Sequence, residues 1–281
     1  MPTLSYRIVN VFTRKQQALS GNPLCVFEDG SVLDDATMQA LARQFNLSET
    51  TFILPSTTAD ARVRIFTPNY EMPFAGHPTL GTAFVCRALG KGADSLALEM
   101  RAGRIPVEAL GNRWTLRANP PTWRDAPADQ IAPMLGLDAA DLAPRPLWVK
   151  SGKEQLIVPL RSEAAVRRVQ VNPALMAKVN SEDGHSMAYV FAETAPNRFL
   201  ARFFFPAGSA ILEDPATGSA TANFGGWLIA NGRPLPLRYE ISQGEYVDRP
   251  STLHLEITAQ GEILVSGDVI ELGRGTIELR N

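Results

Sequence analysis

RIFTPNYEMPFAGHPTLGTAFVCRAL, residues 64–89, decides how the rest of the chain is read. It begins as a short strand, passes through a proline-bounded loop and continues as a helix that is expected to start near Pro78 and Thr79. Leu80, Ala83, Phe84, Val85, Cys86, Ala88 and Leu89 leave almost no polar face on that helix. A helix apolar all round is buried on all sides rather than laid on a surface. Gly90 is a helix-ending residue, and Pro78 suits the first helical position, where a missing N–H costs nothing. His77 therefore sits at the open N-terminus of a buried helix, beside unsatisfied N–H groups and a partial positive charge.

The pattern recurs at residues 202–230, RFFFPAGSAILEDPATGSATANFGGWLIA. Arg64 matches Arg202 (202 − 64 = 138), Phe66 matches Phe204 and Pro68 matches Pro206. With one residue of slippage, His77-Pro78 aligns with Asp214-Pro215 and Gly81 with Gly218 (218 − 81 = 137). The second helix is again apolar nearly all round, through Ala220, Ala222, Phe224, Trp227, Leu228 and Ile229, and ends at Asn231-Gly232. An offset near half of 281 residues implies two copies of one domain, not a solenoid.

That length also makes two domains the default. The formal net charge is −2, and no block of Lys and Arg marks a nucleic-acid or anionic-membrane partner. Apolar stretches fall short of a membrane span, and the N-terminal MPTLSYRIVNVFT lacks the layout of a signal peptide. Cys25 and Cys86 form neither a disulfide framework nor a metal spacing, so a reducing cytoplasm is the expected compartment.

Strands are expected over Tyr6 to Thr13, Leu24 to Phe27, Thr50 to Leu54 and Arg62 to Thr67, with a helix capped by Asp34 or Asp35 and carrying Met38, Leu41, Ala42 and Phe45. Ile105 to Leu110 and Trp114 to Arg117 form a hairpin around Gly111-Asn112. Asn119-Pro120-Pro121 marks the boundary between a domain over 1–119 and one over 120–269, with the terminal strand, 270–281, expected to cross back and complete the first. The tail reads as strands over 253–257, 263–266, 269–272 and 276–279, broken by turns at Gly267-Asp268 and Gly273 to Gly275. The fold class is α+β: two pseudo-repeated domains, each a curled, mostly antiparallel sheet wrapped around its buried helix. Side by side, they would set the two helix starts toward one cleft.

Those starts, Gly76-His77-Pro78-Thr79 and Asp214-Pro215-Ala216-Thr217-Gly218-Ser219, are built of small residues that let a ligand approach backbone N–H groups. Such ends suit a carboxylate or an anion that develops during reaction, and make Gly76, Thr217, Gly218 and Ser219 candidate binding residues. Each residue also has an ordinary reading. Asp214 before Pro215 is a good N-cap, with Ala216 or Thr217 N–H as donor. His77 can simply satisfy local backbone, and Glu49 in NLSET can be a solvated turn residue. His77, His185 and His254 have no metal-ligand spacing, and neither GxxxxGK[ST] nor a strand-borne GxGxxG is present. Neither a metal nor a nucleotide cofactor is expected.

The motifs GNPLCVF (21–27), LSETTF (47–52), RIFTPNYEMPFAGHPTLGTA (64–83) and EDPATGSA (213–220) resemble, in order and over essentially the whole chain, those of the PhzF family. The resemblance implies the diaminopimelate epimerase-like fold, a cofactor-free isomerase that moves a proton on a small cyclic or amino acid, and a homodimer. It implies Glu49 as acid and base, His77 and Asp214 completing the polar site, and Ser219 and Gly76 holding the ligand. Related epimerases carry a cysteine before each helix-start glycine; here those places hold Ala75 and Thr217. One carboxyl can remove a proton beside an unsaturated system and return it elsewhere if burial raises its pKa. The rival readings are a non-catalytic binder of a small acid and a cysteine-dependent epimerase, the latter disfavoured by Ala75 and Thr217.

Overall fold

The computed structural model describes residues 3–279. Residues 1–2 of the expected first domain and 280–281 of its expected closing strand lie outside the described residues. The chain divides into two compact units, Met1–Leu116 with Ser266–Asn281, and Arg117–Val265.

The first unit contains β1 (Thr3–Val11), β2 (Asn22–Phe27), α1 (Asp35–Phe45), β3 (Glu49–Leu54), β4 (Ala61–Phe66), β5 (Glu71–Met72), α2 (Gly76–Ala88), β6 (Ser95–Met100), β7 (Gly103–Leu110) and β8 (Arg113–Arg117). The pairs β1–β2, β3–β4, β4–β5, β6–β7 and β7–β8 are antiparallel, while β2–β3 and β4–β6 are parallel. The sheet curls around α2, which packs on β1, β2, β3, β4 and β6. This is why α2 has no polar face: His77 through Ala83, Val85 and Cys86 are all buried. The outer face of the sheet is covered by α1. Asp34 caps it by accepting from Thr37 N–H at 2.8 Å. Its Met38, Leu41 and Ala42 join Phe27, Phe52 and Phe66 in a second core, where the Phe27 and Phe52 rings stack at 4.8 Å.

The second unit repeats the plan with β9 (Thr122–Asp125), α3 (Ala128–Leu135), β10 (Leu147–Lys150), β11 (Glu154–Pro159), α4 (Glu163–Arg168), α5 (Pro173–Met176), β12 (Ala188–Ala195), β13 (Arg198–Ala207), β14 (Ala210–Asp214), α6 (Gly218–Ala230), β15 (Leu237–Gln243), β16 (Ser251–Ile257) and the start of β17 (Ile263–Glu278). Here α6 is the enclosed helix, buried from Ala220 through Leu228 and packed on β9, β10, β11 and β16. A Cβ on Gly226 would stand 2.7 Å from Pro121 and Val149 side chains, so only glycine lets this helix approach its sheet so closely.

The tail departs from expectation. Residues 263–278 are one strand, not three, and from Val269 to Glu278 it pairs antiparallel with β1. β17 also pairs with β8. Two of the glycines read as turns, Gly267 and Gly275, serve close packing instead. A Cβ on Gly267 would run into the Phe12 ring, and one on Gly275 would stand 2.8 Å from the Tyr6 hydroxyl.

The repeat is real, but its register differs from the sequence alignment. Arg64 chelates Glu71 in β5, and Arg202 chelates Glu213 in β14, each through Nε and Nη2. The strand offset is thus 138 residues at the arginines. The hairpin β13–β14 pairs Phe203 with Asp214, whereas β4–β5 pairs Ile65 with Met72. The second hairpin is therefore four residues longer, because 214 − 203 = 11 and 72 − 65 = 7. The helices then start at Gly76 and Gly218, an offset of 142 (218 − 76 = 142). A matching pair of bonds confirms it: Thr79 Oγ1 donates to the Ala75 carbonyl, and Thr221 Oγ1 to that of Thr217. Gly218 therefore corresponds to Gly76 rather than Gly81. Ser219 corresponds to His77, and Asp214 to Met72.

Candidate active site

In the first unit, α2 begins at Gly76, two residues before the expected Pro78, so His77 is its second residue and Ala75 its N-cap. Ala75 supplies no side-chain cap. Glu49 is the first residue of β3 and pairs in parallel with Leu24, the second residue after Asn22 in β2. This register brings Glu49 and His77 together: His77 Nε2 lies 3.4 Å from Glu49 Oε2. The Thr51 and Thr82 hydroxyls, bonded at 2.8 Å, tie β3 to α2 and hold that spacing. Burial pushes the His77 pKa down to about 3, opposed in part by the hydrogen bond the imidazole donates to the Pro23 carbonyl. Nε2 makes no hydrogen bond among the described residues, so Nδ1 is the nitrogen so engaged, which leaves the lone pair of the neutral ring on Nε2, facing Glu49. A proton on the Glu49 carboxyl thus has an acceptor already in place.

In the second unit, Asp214 closes β14 and is not the N-cap of α6; that place belongs to Thr217, which also lacks a side-chain cap bond. Asp214 instead accepts from the Thr217 hydroxyl at 2.5 Å. The cause is the backbone: Pro215 and Ala216 carry the chain from strand to helix, so the turn begins four residues after Asp214. Gln243, fully buried at the end of β15, holds this loop. Its Nε2 donates to the Asp214 carbonyl at 2.9 Å and to Thr217 Oγ1 at 3.0 Å, and its Oε1 accepts from Thr217 N–H at 3.3 Å. With Oγ1 already receiving a proton, the Thr217 hydroxyl is committed to donating to Asp214. Gly218 and Ser219 open the helix half-exposed, and Ser219 Oγ accepts from Gln155 Nε2 at 3.1 Å.

Glu49, Gly76 and His77 thus belong to the first unit, and Asp214, Thr217, Gly218 and Ser219 to the second. The reading from sequence missed Pro23, Gln155, Asn223 and Gln243. A signal was present for Gln155 and Asn223: each is a carboxamide within a largely apolar strand or helix, where a buried polar side chain needs a specific partner. Burial pushes the Cys25 thiol up and holds that of Cys86 at about 12, so neither is a ready nucleophile. Among the described residues, no cluster of three or more His, Cys, Asp or Glu is arranged to hold a metal, and no helix is long and apolar enough to cross a membrane.

Comparison with known proteins bears on this arrangement. The sequence profile of the PhzC-PhzF family of phenazine biosynthesis-like proteins matches residues 9–272. An uncharacterized isomerase of Pasteurella multocida is 37% identical over 97% of this chain and 93% of its own. The trans-2,3-dihydro-3-hydroxyanthranilate isomerase of Pseudomonas chlororaphis is 35% identical over 98% of this chain and 99% of its own. Among solved structures, the Bacillus anthracis phenazine biosynthesis protein of the PhzF family superposes with a TM-score of 0.86 at 24% identity, covering 99% of this chain and 100% of that one. The fold is the epimerase-like one in which each sheet encloses a helix.

Proposed function

The chain belongs to the PhzC-PhzF family of phenazine biosynthesis-like proteins and is an isomerase; from that premise we propose that it moves one proton within a small carboxylic acid, with Glu49 as the single acid and base. A C–H bond of the substrate breaks and its proton passes to a Glu49 oxygen, while the electron pair delocalises into the adjacent unsaturated system. The same proton then forms a new C–H bond elsewhere in that system, so the product has the formula of the substrate. His77 Nε2 supports the protonated carboxyl between the two steps. The reading needs no metal and no organic cofactor.

The observation that carries this reading is the asymmetry of the repeat. In the register of the strands, Phe52 pairs with Arg64 and Val190 with Arg202, so Met187 occupies the place of Glu49. Ser219 occupies the place of His77. A second acid/base pair is therefore missing from the one place where the repeat would put it, which favours a one-base shift over a two-base racemisation. The uncapped N–H groups at Gly76, His77, Gly218 and Ser219 are suited to a carboxylate and to delocalised negative charge. Assignment of Asp214, Thr217, Gly218 and Ser219 to the same substrate rests on the EDPATGSA motif shared with the family. A homodimer and a cytoplasmic location belong to the same proposal, the second supported by two buried, unpaired cysteines.

The substrate of the Pseudomonas relative, trans-2,3-dihydro-3-hydroxyanthranilate, is the first acid to test. A sample deuterated at the position that loses its proton should give a product retaining part of that deuterium at the new position. Complete washout to solvent during a single turnover would favour two exchanging groups, and no turnover by well-folded protein would remove this acid as substrate.

A further inference from the structure

We propose that Gln155 and Asn223 are positioning residues that commit the Ser219 hydroxyl to donating its proton, so that it accepts only a hydrogen-bond acceptor, such as a carboxylate oxygen, from the substrate. The proposal rests on the assignment of Ser219 to substrate binding made above.

Backbone groups, whose polarity is not adjustable, orient the first amide. Asn223 Oδ1 accepts from Ser151 N–H at 2.7 Å, and Asn223 Nδ2 donates to the Lys153 carbonyl at 3.0 Å. The two contacts together fix which end of the Asn223 amide is oxygen and which nitrogen. The remaining Nδ2 hydrogen goes to Gln155 Oε1 at 2.8 Å. Gln155 is thereby fixed in turn, with its Nε2 toward Ser219 Oγ at 3.1 Å. Reversing Gln155 would set its NH₂ against that of Asn223, two donors with no acceptor between them. Ser219 Oγ therefore receives a proton from within the protein, and its own hydrogen must point to another acceptor. Gln155 and Asn223 are 2% and 1% exposed, so water does not readily take either role.

The fold does not require this polar pair. With α2 and α6 in register, Gly81 corresponds to Asn223. With Thr50 pairing Phe66 and Ala188 pairing Phe204, and with Cys25 pairing Thr50 and Leu156 pairing Ala188, Leu24 corresponds to Gln155. In the first unit the Leu24 side chain fills the space over Gly81, where a Cβ would stand 2.7 Å from it. The same helix-to-strand contact is therefore made by an apolar pair in one repeat and by two buried carboxamides in the other. Buried amides are a burden unless every polar atom is paired, and here the pairing ends on Ser219, a helix-start hydroxyl in the EDPATGSA motif.

Neutron diffraction from crystals of the unliganded protein exchanged into D₂O tests the polarity directly. Two deuterons on the Gln155 nitrogen, one aimed at Ser219 Oγ, and a Ser219 deuteron aimed away from Gln155 are expected. A Ser219 deuteron pointing at Gln155 overturns the proposal. Its consequence is tested with Gln155→Glu, which keeps the shape and still accepts from Asn223 but also accepts the Ser219 proton. KM for trans-2,3-dihydro-3-hydroxyanthranilate should rise about tenfold, as it should in Ser219→Ala, with the loss falling on KM more than on kcat. The double variant should be no worse than either single one, because both remove the same donated hydrogen bond. Independent losses that multiply, or an unchanged KM in Gln155→Glu, would overturn it. Should Gln155→Glu not fold, Gln155→Leu/Asn223→Gly, which imports the pair of the first unit, keeps the test available with the same expectation for KM. If the parent protein fails to turn over this acid, the substrate reading fails, while the deuteron map still decides the polarity of Ser219.

Discussion

His77 Nε2 stands 3.4 Å from Glu49 Oε2, while its other ring nitrogen is engaged by the Pro23 carbonyl. The pair is made by two elements distant in sequence: the first residue of a strand and the second residue of a buried helix. A neutral imidazole so held turns a lone pair toward Glu49, the group that carries the proton in the proposed function.

Glu49→Gln preserves shape and hydrogen-bonding capacity but cannot take up a proton near neutrality. We expect kcat to fall by at least ~100-fold, the low end of what a positioned acid/base contributes. The urea midpoint should move little, because Glu49 sits at a strand end rather than in the core. A folded variant with a rate close to that of the parent would exclude Glu49 as the base.

His77 sets a pH dependence of stability. Its folded pKa is about 3 against 6.5 for an ordinary histidine, so the unfolded chain binds a proton that the native protein refuses between those values. Stability from this group is complete above pH 6.5 and is lost as pH falls toward 3, at about 1.4 kcal/mol per pH unit. Urea unfolding at pH 4, 5, 6 and 7 should show His77→Asn with a shallower slope than the parent by that amount. Equal slopes would count against a buried neutral His77. The loss of rate in His77→Asn should be milder than in Glu49→Gln, since the ring supports the proton without carrying it to substrate.

Thr217→Val removes the hydroxyl that links Gln243 Nε2 to the Asp214 carboxylate. A buried amide hydrogen and a carboxylate oxygen each lose a partner, so a destabilisation of roughly 1–3 kcal/mol is expected by thermal or urea unfolding. A variant as stable as the parent would mean that Gln243 and Asp214 are held without Thr217.

An anion should settle at the uncapped helix starts. Crystals grown in sulfate or a carboxylate buffer are expected to show density against the N–H groups of Gly76 and His77 or of Gly218 and Ser219. Density showing those N–H groups covered by protein side chains would refute the expectation.

Thiol chemistry should be dispensable. Cys25 and Cys86 are both fully buried, and Ala75 and Thr217 occupy the two N-cap positions. Iodoacetamide at neutral pH should leave turnover unchanged in native protein. Inactivation in step with alkylation of a cysteine would revive the cysteine-dependent epimerase.

Much of this was legible in the sequence, for a local reason. The two enclosed helices, the strands that lead into them and the hairpin at Gly111-Asn112 follow from hydrophobic patterning and turn chemistry over ten to twenty residues. The long motifs around Glu49, His77 and Asp214 carried the family and the fold with it. Tertiary structure decided what depends on pairing between distant segments. Register is one such quantity: four extra residues in the hairpin that ends at Asp214 shift the second helix by a turn, so that Ser219 rather than Asp214 stands in the place of His77. The continuity of β17 is another, because Gly267 and Gly275 make room for Phe12 and Tyr6, which lie more than 250 residues earlier in the chain. The partners of buried polar groups are a third. A carboxamide in an apolar strand announces that it must be paired, but which oxygen or nitrogen meets it is set only when Asn223, Gln155 and Ser219 are brought side by side.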